Sequence, residues 1–129
     1  MWRILVVDDE PEIRGVLEEY LGALGHTVDC VSSGREAMEC VQQSPEPYDI
    51  ALVDWHMPGI TGRDVLEGIA SLSPTTRAIV ITGHIGEKVG KGHLAGLVTR
   101  VCHKPFALRT LKNELDALMA GATAPATVP

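Results

Sequence analysis

Acidic side chains, a hydroxyl group and an ammonium group follow or end four short apolar runs of this sequence. Asp8 and Asp9 come directly after the first run, and Asp54 ends the third. Thr82 ends the fourth run, and Lys104 follows the fifth. If the runs are parallel strands of one sheet, their carboxyl ends lie at the same edge, where such sheets bind ligands. Three carboxylates crowded there are costly unless a cation neutralises them or one stays protonated. We therefore expect a site for a hard divalent cation such as Mg²⁺, which prefers oxygen ligands and phosphate oxygens.

The apolar pattern predicts five βα units arranged around a parallel sheet. Five short runs rich in branched side chains alternate with longer segments of helical period. The first, third and fourth runs are almost continuously apolar, which predicts central strands buried on both faces. The predicted strands span Arg3–Val7, Thr27–Val31, Ile50–Asp54, Ala78–Thr82 and Thr99–His103. The fold class is therefore α/β with a five-stranded parallel sheet.

Two segments between and after these strands differ from the rest. Five glycines fall in the segment 83–97, and each costs on the order of 1 kcal/mol relative to Ala inside a helix. We expect this fourth helical segment to be short, distorted or mobile. The last helix carries four leucines on one stripe and is followed by a tail rich in Ala, Thr and Pro. The predicted organisation is one domain over residues 1–120 and a flexible tail or linker over 121–129.

Length and charge exclude several classes of protein. The chain has 129 residues, which suits one domain of common size. Its formal net charge of −6, without a cluster of Lys and Arg, argues against direct nucleic-acid binding. No apolar run is long enough to span a membrane and no signal pattern opens the chain, so a cytoplasmic location is expected. Three widely spaced cysteines predict reduced thiols.

Four motifs resemble those of the response-regulator receiver domains, from about Arg3 to Met119. They are Val6–Glu10, Val53–Gly59, Ile81–Gly83 and Lys104–Phe106. The resemblance implies a flavodoxin-like, doubly wound (βα)₅ fold with strand order 2-1-3-4-5. It also implies a signalling switch of a two-component phosphorelay, which catalyses only its own phosphorylation and dephosphorylation.

The resemblance implies a phosphoacceptor and a metal site. Asp54 would be the nucleophile that forms an aspartyl phosphate. Asp9 would ligate Mg²⁺ directly, Asp8 through water, and Asp54 and the backbone carbonyl of His56 would complete the protein ligands. Mn²⁺ is a possible substitute for Mg²⁺.

The resemblance also implies the residues of the switch. Lys104 would pair first with the acceptor carboxylate and later with a phosphoryl oxygen. Thr82 would donate its hydroxyl to another phosphoryl oxygen. Pro105 would follow a cis peptide bond that holds Lys104 in place.

Three positions depart from the usual pattern or modulate it. The family usually has an aromatic residue where this chain has Val101, so the usual aromatic readout is in doubt. His56 and His84 lie two residues after Asp54 and Thr82, at positions that tune loss of the phosphoryl group in the family. Their imidazoles could instead position water or bind a softer metal such as Zn²⁺.

The expected partners are a histidine kinase or histidine phosphotransfer protein and an unknown downstream protein, with the chain a monomer or weak homodimer. One alternative is a phosphatase of the haloacid-dehalogenase type, but that family needs an acid where His56 stands. Another is a receiver-like interaction module that has lost phosphorylation, although the acid pair, the acceptor and the lysine are all present. A dinucleotide site is not supported, because no Gly-x-Gly-x-x-Gly follows the first strand.

Overall fold

The computed structural model describes residues 1–83 and 92–123, with the side chains of residues 1–83 and 95–120. Within these residues, six strands form one sheet and four helices pack on it. The strands are β1 (Arg3–Val7), β2 (Thr27–Val31), β3 (Ile50–Asp54), β4 (Arg77–Thr82), β5 (Gly92–Leu94) and β6 (Leu97–His103). The helices are α1 (Pro11–Ala23), α2 (Gly34–Gln43), α3 (Gly62–Leu72) and α4 (Leu108–Thr123).

The sheet has the order β2-β1-β3-β4-β6-β5. Its five long strands are parallel and follow the order 2-1-3-4-5, so the predicted fold class is confirmed. The centre is also as predicted: every residue of β3 is buried. This arrangement brings the carboxyl ends of β1, β3, β4 and β6 to one edge.

The segment 83–97 differs from its prediction where it is described. Residues 84–91 lie outside the described residues. Gly92–Leu94 forms the strand β5, antiparallel to β6, so the helical prediction is wrong there. Ala95 and Gly96 link the two strands with φ values of 54° and 92°, and this left-handed pair suits a two-residue hairpin turn. The last parallel strand therefore begins at Leu97 rather than Thr99.

The core lies in two layers, one on each face of the sheet. Helices α2 and α3 cover one face, where Val53, Val65 and Ile69 are fully buried. Helices α1 and α4 cover the other, where the leucine stripe of α4 packs against β6 and β4. Each fully buried side chain of this size contributes about 1.5–3 kcal/mol. The two layers fix the sheet, and with it the strand ends.

The ends of the elements follow the local sequence only in part. Thr61 caps the start of α3 with a capping box, since its side chain and that of Asp64 each accept a backbone N–H of the other. Helix α4 extends to Thr123, and residues 124–129 lie outside the described residues. The division into a domain over 1–120 and a tail over 121–129 stays a prediction. None of the described helices could cross a bilayer.

A ring stack closes the amino end of the sheet and predicts a pH dependence. The rings of Trp2 and His26 stack with centroids 4.9 Å apart, and the backbone N–H of Trp2 donates to Nδ1 of His26 at 3.1 Å. Burial, and then the nearby N-terminal amine, lower the pKa of His26 from its ordinary value. The unfolded chain therefore takes up this proton first as the pH falls. We expect full stability above the unfolded-state pKa of about 6.5 and a loss as the pH decreases below it.

Melting temperatures of the wild type and a His26→Phe variant between pH 7.5 and 5.5 test this, because phenylalanine keeps the ring but does not titrate. Equal slopes in the two proteins would contradict it.

Candidate functional site

The strand ends deliver the predicted side chains to one cleft. Asp8 follows β1 and is fully buried, and Asp54 ends β3 with 4% of its surface exposed. Lys104 follows β6, and its Nζ lies 3.3 Å from Oδ2 of Asp8 and 3.4 Å from Oδ2 of Asp54. Thr82 ends β4 and is buried. The predicted convergence of carboxylates, hydroxyl and ammonium at this edge is observed.

The acidic group contains four carboxylates, one more than predicted from the sequence. Asp8, Asp9, Glu10 and Asp54 each place a carboxylate oxygen within 4.8 Å of the others. No functional role was predicted for Glu10, although it directly follows Asp9 at the end of β1. Its Oε1 accepts the shortest of the lysine's contacts, at 2.7 Å from Nζ of Lys104. Adjacency to the acid pair was the one signal in the sequence for this contact.

Burial, and repulsion from neighbouring carboxylates, raise the pKa values of the two inner carboxylates, Asp8 and Asp54. Burial raises the pKa of Asp8, although the backbone N–H of Glu10 donates to its Oδ1 at 2.8 Å. Burial also raises the pKa of Asp54, and repulsion from Asp8 adds to this. The N–H of His56 donates to Oδ1 of Asp54 at 3.1 Å and partly opposes the shift. Both carboxylates are therefore held in a place where a further positive charge is favourable.

Lys104 supplies the positive charge among the described residues of the cleft. Burial alone would lower its pKa, but Glu10, Asp8 and Asp54 together raise it, so the ammonium form is strongly favoured. Its backbone N–H donates to the carbonyl of Thr82 at 2.7 Å, which ties the end of β6 to the end of β4. The peptide bond between Lys104 and Pro105 is cis, as predicted.

The loop after Asp54 is fixed by backbone contacts. The N–H of Trp55 donates to the carbonyl of Ile81 at 2.8 Å, and the N–H of Gly62 donates to the carbonyl of Trp55 at 3.3 Å. A Cβ on Gly62 would lie 2.7 Å from both the carbonyl oxygen of Asp54 and Cα of Trp55. Only glycine therefore lets α3 begin this close to Asp54.

The remaining predicted positions lie around this cleft or outside the described part of the chain. His56 is exposed and lines the cleft together with Asp9, Glu10 and Gly83. Val101 is half-buried in β6. His84 lies outside the described residues. The acidic group found among the described residues consists of carboxylates and does not include the imidazole of His56.

The residues present fit a hard divalent cation. Oδ2 of Asp8 is buried and accepts no hydrogen bond among the described residues; its 3.3 Å approach to Lys104 is an electrostatic contact without hydrogen-bond geometry. The other donors of the group are also carboxylate oxygens, which Mg²⁺ and Mn²⁺ prefer to nitrogen or sulfur. An orphaned buried oxygen beside three further carboxylates is accounted for by a cation at this point.

Loss of the negative charge of Asp8 is expected to stabilise the domain in the way that a bound metal ion does. An Asp8→Asn variant should melt at a higher temperature than the wild type in EDTA, because one buried repelling charge is lost. Mg²⁺ should stabilise the wild type by about 1.4 kcal/mol at ten times its Kd and should stabilise the variant much less. Thermal melts with and without Mg²⁺ measure both effects, with Glu19→Gln, an exposed acid of α1, as the control. A metal-dependent shift as large in Asp8→Asn as in the wild type would contradict the role of Asp8.

Comparison with known proteins identifies the family. A family model described as a response regulator receiver domain matches residues 4–116. The chain belongs to the response-regulator receiver family. The family assignment accounts for the sheet order and favours a receiver over the phosphatase alternative. This receiver domain is thus a signalling domain of the two-component type.

Two curated relatives and two solved structures show how far the similarity extends. The chain is 34% identical over 119 residues to the two-component response regulator PhoP of Pseudomonas aeruginosa, covering 91% of this chain and 51% of that protein. It is 30% identical to the response regulator receiver protein CpdR of Brucella abortus, covering 95% of this chain and 100% of CpdR. The response regulator TrrA of Thermotoga maritima in complex with Mg²⁺ and beryllium fluoride has a TM-score of 0.74 and 32% identity, covering 92% of this chain and 99% of TrrA. A second structure holds TrrA in complex with the histidine kinase ThkA, with a TM-score of 0.73 and 31% identity. The receiver domain thus spans about half the length of PhoP and the whole of CpdR.

Proposed function

We propose that this receiver domain is a phosphorylatable switch in which the carboxylate of Asp54 accepts a phosphoryl group in a Mg²⁺-dependent reaction. The observation that carries the proposal is the position of Asp54. Its Oδ2 lies in an acid-lined cleft, 3.4 Å from the ammonium of Lys104. The carboxylate of Asp54 therefore lies beside both the positive charge of Lys104 and a candidate cation site.

The chemistry is transfer of a phosphoryl group from a nitrogen or oxygen atom of the donor to a carboxylate oxygen of Asp54. An oxygen of Asp54 attacks phosphorus, and the bond between phosphorus and the donor atom of phosphohistidine or acetyl phosphate breaks. Acetate leaves as the anion without taking a proton, and the histidine imidazole leaves neutral when its other ring nitrogen carries a proton; the aspartyl phosphate remains. Asp8, Asp9, Asp54 and the backbone carbonyl of His56 would hold Mg²⁺, or Mn²⁺ in its place. The bound ion would offset negative charge on the phosphoryl oxygens.

Two further side chains would hold the transferred group. Lys104 lies near enough to Asp54 to pair with a phosphoryl oxygen formed on that residue. Thr82 ends the neighbouring strand and would donate its hydroxyl to another phosphoryl oxygen. Movement of Thr82 toward the phosphoryl group would be the first step of the switch, and Pro105 would keep Lys104 in register.

Partners and readout follow from this assignment. The complex of TrrA with a histidine kinase supports phosphorylation of this domain by a histidine kinase, or by a histidine phosphotransfer protein. The output would be altered binding to a downstream protein, with the domain acting as a monomer or weak homodimer. Val101 replaces the usual aromatic residue of β6, so the readout would not use an exchanging ring. His56, which lines the cleft, and His84 would set the rate at which water removes the phosphoryl group.

A mass measurement tests the proposal. Incubation with Mg²⁺ and acetyl phosphate is expected to add one phosphoryl group to the intact protein, and EDTA is expected to prevent it. A protein that gains no mass would fit an interaction module that has lost phosphorylation. Steady turnover of phosphoester substrates would fit a phosphatase. Either result would overturn the proposal.

A further inference from the structure

Lys104 is already paired with carboxylates before any phosphoryl group arrives: it donates hydrogen bonds to Glu10 and Asp54 and makes an electrostatic contact with Asp8. An ammonium group has three N–H bonds to donate. Its Nζ lies 2.7 Å from Oε1 of Glu10, 3.3 Å from Oδ2 of Asp8 and 3.4 Å from Oδ2 of Asp54. A phosphoryl oxygen must therefore compete with three carboxylates for the charge of this lysine, and with Glu10 and Asp54 for its hydrogen bonds.

Helix capping does not explain the position of the Glu10 side chain. Glu10 is the N-cap residue of α1, with an extended backbone, and its side chain accepts no capping hydrogen bond among the described residues. Pro11 occupies the first turn, where a missing N–H is tolerated. The carboxylate instead reaches across the cleft to a residue 94 positions further along the chain.

The three carboxylates differ in how easily they can leave the lysine. The side chain of Glu10 is 57% exposed, whereas those of Asp8 and Asp54 are 1% and 6% exposed. Water can solvate Glu10 as soon as it turns outward, but the two aspartates are held by the strand ends. Glu10 is therefore both the nearest partner of Lys104 and the one that is displaced at the lowest cost.

The geometry points to a role for Glu10 as a positioning residue that holds Lys104 in the unphosphorylated domain and competes with the incoming phosphoryl group for it. This inference rests on the proposed function. It deepens that function by naming what restrains the site before the reaction. A small anionic phosphodonor then meets a lysine that is already paired and a negative charge at the mouth of the cleft. Glu10 raises the KM for such donors and leaves the chemical step on Asp54 unchanged.

Two variants at position 10 separate this competition from simple repulsion. Glu10→Gln removes the charge, and Glu10→Asp keeps the charge on a side chain one methylene shorter. Asp is also a favoured N-cap residue, so it is drawn to the N–H groups of α1 rather than to Lys104. Glu12→Gln is the matched control, because it removes an exposed first-turn charge of α1 that is not among the contacts of Lys104.

The experiment measures phosphorylation by acetyl phosphate at saturating Mg²⁺. We expect Glu10→Gln and Glu10→Asp to lower KM by about threefold to fivefold, the range for loss of a partly exposed ion pair, with kcat unchanged. Glu12→Gln should match the wild type. The Kd of beryllofluoride, followed by tryptophan fluorescence, should fall in the same two variants.

Three results would overturn the inference. Equal KM values in all four proteins would show that Glu10 does not restrain the lysine. A lower KM in Glu10→Gln alone would show that charge repulsion suffices. A higher Kd for Mg²⁺ together with a higher KM in Glu10→Gln would make Glu10 a metal ligand instead. Wild-type protein that is not phosphorylated would contradict the proposed function as well, whereas phosphorylated wild type with any of these three results contradicts the inference alone.

Discussion

An Asp54→Asn variant is expected to lose phosphorylation by acetyl phosphate and Mg²⁺, with a rate at least about 1,000-fold below that of the wild type. The amide is not a nucleophile toward phosphorus, and its neutral oxygen is a weaker ligand for a divalent cation than a carboxylate. The same variant should melt at a higher temperature in EDTA, because burial raises the pKa of Asp54 and its charge is unfavourable where it lies. Intact-mass measurement over time and thermal melts report the two effects.

The matched control lies next to the opposite end of the same strand. Asp49 directly precedes β3, is exposed, and accepts the N–H of Arg3 at 2.9 Å. An Asp49→Asn variant should therefore be phosphorylated at the wild-type rate. A phosphoryl adduct of similar yield in Asp54→Asn would show that another residue is the acceptor.

A Gly62→Ala variant is expected to lose about 1–3 kcal/mol of stability and to be phosphorylated up to about 100-fold more slowly. The added Cβ would meet the backbone of Asp54 and Trp55 at 2.7 Å, and backbone atoms cannot move aside as a flexible side chain can. Relief of the contact must shift either the start of α3 or the backbone of Asp54 and Trp55. Chemical denaturation and the initial rate of mass gain measure these losses.

Gly15→Ala is the control for glycine replacement itself. Gly15 lies inside α1, and a Cβ there would meet no described atom within 4 Å. Because alanine lowers the entropy of the unfolded chain, this variant should be more stable by about 0.5–1 kcal/mol, with unchanged phosphorylation. If Gly62→Ala behaved like Gly15→Ala, the close contact between α3 and the backbone of Asp54 and Trp55 would not constrain the site.

The parallel sheet could be predicted because its constraints are local and periodic. Continuous apolar runs such as Ile50–Val53 are compatible with strands buried on both faces, and helical segments between them require crossover connections. That geometry alone brings Asp8, Asp54 and Lys104 together at one edge. The family motifs then added the expected roles of these residues. The positions of the side chains follow from the geometry of the sheet, and they neither require nor exclude those roles.

Two features could not be predicted, for different physical reasons. The glycines of 92–97 predict a weakened helix. In the structure, the pair Ala95–Gly96 instead takes the left-handed conformation of a hairpin turn. The pairing of Gly92–Leu94 with β6 is a tertiary choice that overrides helical period. The contact between Glu10 and Lys104 joins residues 94 positions apart, and no short-range pattern indicates which acid takes the lysine.

Localisation of the modification tests the central claim most directly. Wild-type protein incubated with Mg²⁺ and acetyl phosphate would be reduced with borohydride, which converts an aspartyl phosphate into homoserine, and then digested and sequenced by mass spectrometry. We expect homoserine at residue 54 of the treated protein and unmodified Asp54 in a sample that contained EDTA. Homoserine at Asp8 or Asp9, or unmodified aspartate at all three positions after treatment, would contradict the assignment of Asp54 as the phosphoacceptor.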